Sequence, residues 1–149
     1  MLGIQEADHE ETSPQASLLL ISRLECSVAG QARIVRLAPG TTTARAYGRA
    51  EATEAFRCNF GLNPEHRATI LRQPLRVAGV DENGEVRVVE LDGHPFFVAT
   101  LYLPQLSSTP TAPHPLVVAY LRAAAAFHDD RRICPPSGDP GRALERTTG

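Results

Sequence analysis

The chain has 149 residues, 42% of them apolar, enough to build one soluble domain around its own core. Its net charge is only −2 and its fifteen basic residues, all arginine, are scattered along the sequence, which excludes the basic stripe of a nucleic-acid binder. No apolar run reaches the roughly 20 residues of a membrane span, and Met1 to Glu11 is acidic where a signal peptide would be basic and then apolar, so a cytoplasmic location is expected, with neither nucleic acid nor membrane as partner.

In chain order the pattern is α/β. Asp8 to Gln15 is polar, ends at Ser13-Pro14 and reads as a loop; Leu18 to Cys26 is rich in Leu and Ile and reads as a strand. Ala32 to Leu37 alternates Ile34 and Val35 with Arg33 and Arg36, predicting a second strand, and Pro39-Gly40 is a turn signal. Ala52 to Phe60 predicts one further strand with Phe56, Cys58 and Phe60 on one face and Arg57 and Asn59 on the other. Asn63-Pro64 has the form of a helix start, cap then proline at the first position. Leu75 to Val80 and Glu85 to Leu91 flank Asn83-Gly84, a strong hairpin signal. Phe96 to Leu103 is apolar on both faces, as a buried central strand would be. Pro115 opens an Ala-rich helix over Leu116 to Phe127, after which prolines and glycines interrupt every pattern and residues 129–149 read as a disordered tail.

The segment from Glu90 to Phe127 carries the strongest signature. It contains His94-Pro95-Phe96-Phe97-Val98-Ala99-Thr100, then Pro104, Ser108, Pro110 and Pro113-His114-Pro115-Leu116. Upstream lie Leu37-Ala38-Pro39-Gly40-Thr41, Ala46-Tyr47-Gly48, Glu54, Arg57, Phe60, Asn63 and the hairpin with Gly79, Asn83-Gly84, Val88-Val89 and Glu90-Leu91. Together these residues resemble the C-terminal glutamine amidotransferase (class I glutaminase) domain of CTP synthases, and Leu24 to Ser27 with the Arg57 to Asn63 segment resembles stand-alone proteins related to that C-terminal region. The resemblance implies the C-terminal part of a flavodoxin-like amidotransferase domain over residues 1–128, a mixed sheet with a β-hairpin and flanking helices. Met1 to Asp8 resembles the stretch that follows the family's nucleophile elbow helix, while the elbow itself, G-x-C-x-G, occurs nowhere in the sequence. The implied reaction of the whole family protein is glutamine-dependent amination of UTP in pyrimidine biosynthesis. The synthetase domain with its phosphate-binding loop has no counterpart here, so CTP synthesis by this chain alone is not expected.

The same register shows what is missing. Where the family carries the His-Pro-Glu of its Cys-His-Glu triad, this chain has Leu103-Pro104-Gln105. Leucine has no proton to exchange with a thiol, and glutamine has no charge to hold an imidazolium. The expectation is a pseudoenzyme, a glutaminase scaffold acting by binding or assembly, as a homo-oligomer or with a chain supplying the missing half-domain, and with a glutamine-like small molecule as a conceivable ligand. The alternative is a thiol-dependent amidohydrolase or transferase using Cys58 or Cys26 in a remodelled pocket, with Arg57 anchoring an anion. The three cysteines, Cys26, Cys58 and Cys134, are unevenly spaced and suggest neither a disulfide framework nor a metal knuckle; free cysteines are usually inert packing residues. His94 and His114 read as turn or loop-packing residues. His9 beside Asp8, Glu10 and Glu11 reads as a solvated acidic terminus, and no metal or other cofactor is expected.

Overall fold

The computed structural model describes residues 4–25, 27–71 and 74–133. The strands are β1 (Ala7–His9), β2 (Leu18–Arg23), β3 (Ala32–Leu37), β4 (Glu51–Ala55), β5 (Phe60–Leu62), β6 (Leu75–Asp81), β7 (Val86–Leu91) and β8 (Val98–Thr100). The helices are α1 (Thr42–Tyr47), α2 (Arg67–Ile70), α3 (Pro104–Ser107) and α4 (Pro115–Ile133), with a 3-10 turn at Pro64–His66 ahead of α2. Two sheets result. The larger is antiparallel throughout in the order β4-β3-β6-β7-β8; the smaller runs β1-β2-β5, with β1 parallel and β5 antiparallel to β2.

The β6–β7 hairpin is built by its turn. Gly84 takes φ 80°, a left-handed conformation that costs glycine nothing, and Asp81 Oδ1 accepts hydrogen bonds from the Asn83 and Glu85 backbone N–H groups at 2.9 and 3.0 Å. Along β6, Gly79 is required for packing. A Cβ there would stand 2.9 Å from Val35 Cγ1 and 3.0 Å from Val88 Cγ2, so its absence lets the flanking strands close over β6. Val28, Val35, Leu37, Ala52, Phe56, Ala78, Val88, Tyr102 and Leu116 form one core.

Several expectations change. In β3 the inward residues are Val35 and Leu37, and Ile34 faces outward with Arg36. Ala52 to Phe60 is two strands, not one: the chain leaves the large sheet after Phe56 and enters the small one at Phe60, and Phe56 bridges to Tyr102 across the break. Phe96 to Leu103 is not a central strand. The strand proper is Val98–Thr100, at the edge of the large sheet beside β7, with Ala99 exposed and Phe96, Phe97 and Val98 half-buried. Beyond the strand, Tyr102 is buried in the core and bridges to Phe56. Asp8 and His9, at the start of the expected Asp8 to Gln15 loop, belong instead to a strand, Ala7–His9, that pairs with Leu18, Leu19 and Ile21. The short α1 also forms without a periodic signal, through its ends: Thr41 Oγ1 accepts from Ala44 N–H, and Gly48 closes the helix at φ 64°. Asn63 does cap the turn at Pro64, accepting from Glu65 N–H. Helix α4 begins at Pro115 as read, then continues past Phe127 to Ile133. Residues 134–149, the rest of the expected tail, lie outside the described residues, as does Cys134.

Candidate functional site

The turn after Tyr102 carries Leu103, Pro104 and Gln105, the residues that the resemblance sets against the family's His-Pro-Glu. Leu103 precedes α3 with φ −113° and ψ 89°, Pro104 is the first residue of that short helix, and no side chain caps it. Leu103 is 41% exposed, Leu106 63%, and Gln105 also faces solvent. The turn therefore presents apolar and amide groups to water where proton transfer would need an imidazole and a carboxylate.

Cys58 is half-buried between β4 and β5, a free thiol whose sulfur accepts from the Phe60 N–H at 3.4 Å. Arg57 beside it is exposed. Among the described residues, no hydrogen bond or ion pair joins Cys58, Arg57, Leu103 and Gln105 to one another. Cys26 lies outside the described residues. Among the described residues no group of three or more histidine, cysteine, aspartate or glutamate side chains could hold a metal ion, and no helix is long and apolar enough to cross a membrane.

What the sequence reading missed is a buried polar cluster joining α1, β4, the turn after β8 and the start of α4. Tyr47 OH donates to Glu54 Oε1 at 2.6 Å and lies 3.0 Å from Tyr102 OH. His114 Nδ1 accepts from the Leu116 N–H at 3.2 Å, which places the ring proton on Nε2. From there it points at Glu54 Oε1, 3.2 Å away, with Tyr47 OH at 3.1 Å. Burial pushes both phenols well above the usual tyrosine range, assisted at Tyr47 by the Tyr102 and Glu54 oxygens. Both phenols are therefore neutral; Tyr47 donates to Glu54, while Tyr102 reaches the carboxylate only through the Tyr47 hydroxyl. His114 is thus a core residue, whereas His94 is exposed and merely accepts from the Phe96 N–H within its own turn. A signal was present: Tyr47, Glu54, Tyr102 and His114 all fall within or beside the motif residues above. With Glu54, Tyr102 and His114 buried and Tyr47 half-buried, the cluster fastens four elements together.

Two further buried carboxylates serve packing. Asp81 Oδ2 accepts from Arg87 Nε and Nη2 at 2.9 and 2.7 Å, with Arg33 Nη1 3.9 Å away. Burial alone would raise the Asp81 carboxyl, but Arg87 and the turn N–H groups outweigh it and hold that carboxyl below its ordinary value. Glu90 receives the Thr42 and Thr43 N–H groups, Thr43 Oγ1 and Arg76 Nη2, tying α1 to β7. Between the two sheets lies an open cavity of about 570 Å³ lined by charges of both signs, among them Arg23, Glu25, Arg33, Glu65 and Glu85.

No family model matches the chain. It is 35% identical over 148 residues to a CTP synthase of Rhodococcus opacus (strain B4), covering 89% of this chain and 25% of that protein. Against a CTP synthase of Saccharopolyspora erythraea the identity is 39% over 101 residues, 66% of this chain and 18% of the relative; against one of Sulfurisphaera tokodaii it is 33% over 134 residues, 84% and 25%. The chain thus spans about a quarter of the length of the curated relatives it matches. Among solved structures, the Trypanosoma brucei CTPS glutaminase domain with bound acivicin superposes with a TM-score of 0.77 at 21% identity, covering 85% of this chain and 53% of that one. A GMP synthase component from Thermoplasma acidophilum gives 0.57 at 13% identity, covering 75% and 51%. The structural likeness carries the fold: a mixed α/β architecture of the flavodoxin-like class I amidotransferase type, its curled antiparallel sheet flanked by helices.

Proposed function

We propose that this chain, which is homologous to the glutaminase domain of CTP synthases, is a non-catalytic version of that scaffold and works by binding or assembly. The observation that carries the reading is the Leu103 to Leu106 turn, where an exposed leucine and an exposed glutamine occupy the register of a histidine and a glutamate. Hydrolysis of glutamine by a thiol needs three things in contact: the thiolate, an imidazole to carry the proton, and a carboxylate to hold that imidazole. Two of the chain's imidazoles are either engaged elsewhere or turned to solvent. His114 is locked to Glu54 and to the backbone of α4, and His94 is exposed at a turn.

The thiol-dependent reading would need Cys58 to have a base, and its one hydrogen bond among the described residues is to a backbone N–H. Loss of a single triad member lowers turnover by about 10⁴ to 10⁶, and here neither the base nor its orienting carboxylate is in place. The test is ammonia release from glutamine by the purified chain. Release at the buffer blank is the expected outcome, and Leu103→His with Gln105→Glu should leave it there. Turnover in the unmodified protein that disappears in Cys58→Ser would replace this reading with the thiol-dependent one.

A further inference from the structure

The cavity between the two sheets is cationic at its buried end. There β3 supplies Arg33 and β7 supplies Arg87, both beside the Asp81 carboxylate, so two guanidiniums stand against one anion. Arg87, whose side chain is only 4% exposed, commits Nε and Nη2 to Asp81 Oδ2. Its Nη1 makes no hydrogen bond among the described residues and is not one of their enclosed polar atoms lacking a partner, so it opens on the cavity that the side chain lines. Arg33 repeats the arrangement. Its Nε and Nη2 donate to Gln31 Oε1 at 2.9 and 2.7 Å, and its Nη1 stops 3.9 Å from Asp81 Oδ2, beyond hydrogen-bond reach.

The outer end is acidic. Glu25 and Glu65 face solvent and Glu85 is half-buried, and no hydrogen bond or ion pair engages any of the three carboxylates among the described residues. Arg23, the other cation of the lining, lies over the Phe60 ring at 5.1 Å from its centroid. A simple anion would meet the carboxylates on its way in, and a simple cation would meet the guanidiniums beneath; like charges brought together in this way are strongly disfavoured. No residue before Ser22 lines the cavity, and its buried end is held by β3, β6 and β7, so the charge pattern is fixed by the large sheet.

We propose that this cavity binds a small zwitterion of the amino-acid or short-peptide class, its carboxylate on Nη1 of Arg33 and Arg87 and its ammonium toward Glu25, Glu65 and Glu85. The volume of about 570 Å³ falls within the range of small-molecule sites, about 300–1,000 Å³. Guanidiniums already fixed by Asp81 and Gln31 lose little freedom when a ligand arrives, and a carboxylate meeting them at depth is attracted more strongly than at the surface. The cavity is separate from the Leu103 to Leu106 turn, none of whose residues line it. The ligand class goes beyond the scaffold reading, which leaves the bound molecule open.

The test is NMR mapping of amide shifts in the whole chain at low salt, titrated with triglycine, with N-acetyl-triglycine, which lacks the ammonium, and with triglycine amide, which lacks the carboxylate. Triglycine should shift the amides of Arg33, Leu62 and Arg87 and bind about tenfold or more tightly than either capped peptide, the loss expected for one charged hydrogen bond. Arg33→Gln should weaken triglycine by about tenfold and remove its advantage over the amide. Glu25→Gln, Glu65→Gln and Glu85→Gln together should bring N-acetyl-triglycine level with triglycine. Unchanged amide shifts in α1 and α4 show that each variant is folded. Equal binding of the three peptides, no saturable shift from any of them, or saturable shifts confined to the Leu103 to Leu106 turn would overturn the proposal. Ammonia release from glutamine would sink the non-catalytic reading without altering these titrations, so the two failures are distinguishable.

Discussion

The five-stranded and three-stranded sheets make opposite use of apolar sequence. Leu18 to Ile21 in the small sheet is among the most apolar runs of the chain and is nowhere fully buried. Val86 to Val88 in the large sheet includes an arginine and is buried at every position, Arg87 among them. Burial follows from the neighbours a strand acquires rather than from its composition. β7 lies between β6 and β8 and contributes to the core under Tyr102 and Leu116, whereas β2 has only the short β1 and β5 beside it. The large sheet can therefore keep charges inside, because Asp81 and Arg87 are held in fixed geometry, while the small sheet keeps its charges at the rim.

Substitutions should separate the two regions, beginning with the largest effect. Arg87→Leu leaves Asp81, fully buried at 0% exposure, without its main partner, and removing one member of a buried pair costs about 3–5 kcal/mol; urea unfolding would measure it. The same pair sets an acid limb. The Asp81 carboxyl titrates below its ordinary 3.8 in the folded protein, so its contribution is complete above the unfolded value and is lost as the pH falls through the folded one. The stability gap between the native chain and Arg87→Leu should accordingly narrow below about pH 4. Gly79→Ala would force Val35 and Val88 apart and should cost about 1–3 kcal/mol in thermal or urea unfolding. Leu20→Ala, in a half-buried strand of the small sheet, should cost only about 1 kcal/mol. If Leu20→Ala proved as damaging as Arg87→Leu, the contrast between the sheets would be lost.

Much of this was legible because it is local. Asn83-Gly84 between apolar runs, Pro115 ahead of an Ala-rich stretch and Asn63 before Pro64 each fix structure within a few residues, and all three are found where the sequence places them. The break after Phe56 was not legible, since it depends on which sheet receives each half of an apparently continuous run. Nor was the edge position of β8, because an apolar strand at an edge and one at the centre read alike. The polar cluster joins residues as far apart as Tyr47 and His114, and only the fold shows that the histidine of a Pro-His-Pro segment meets a glutamate from β4. At the candidate site the identities of residues 103 and 105 could be read from the sequence, and their exposure could not. That Cys58 has a backbone N–H for company and no base required its surroundings.

The contrast between the sheets depends on the large sheet holding a well-packed core and the small sheet being thinly covered. Hydrogen exchange on the isolated chain, resolved to single amides, tests that claim most directly. Amides of β3, β6 and β7 should exchange only by global unfolding, and those of β1 and β2 by local opening at rates about two or more orders of magnitude faster. Protection of β1 and β2 equal to that of β6 and β7 in dilute, monomeric protein would contradict the account.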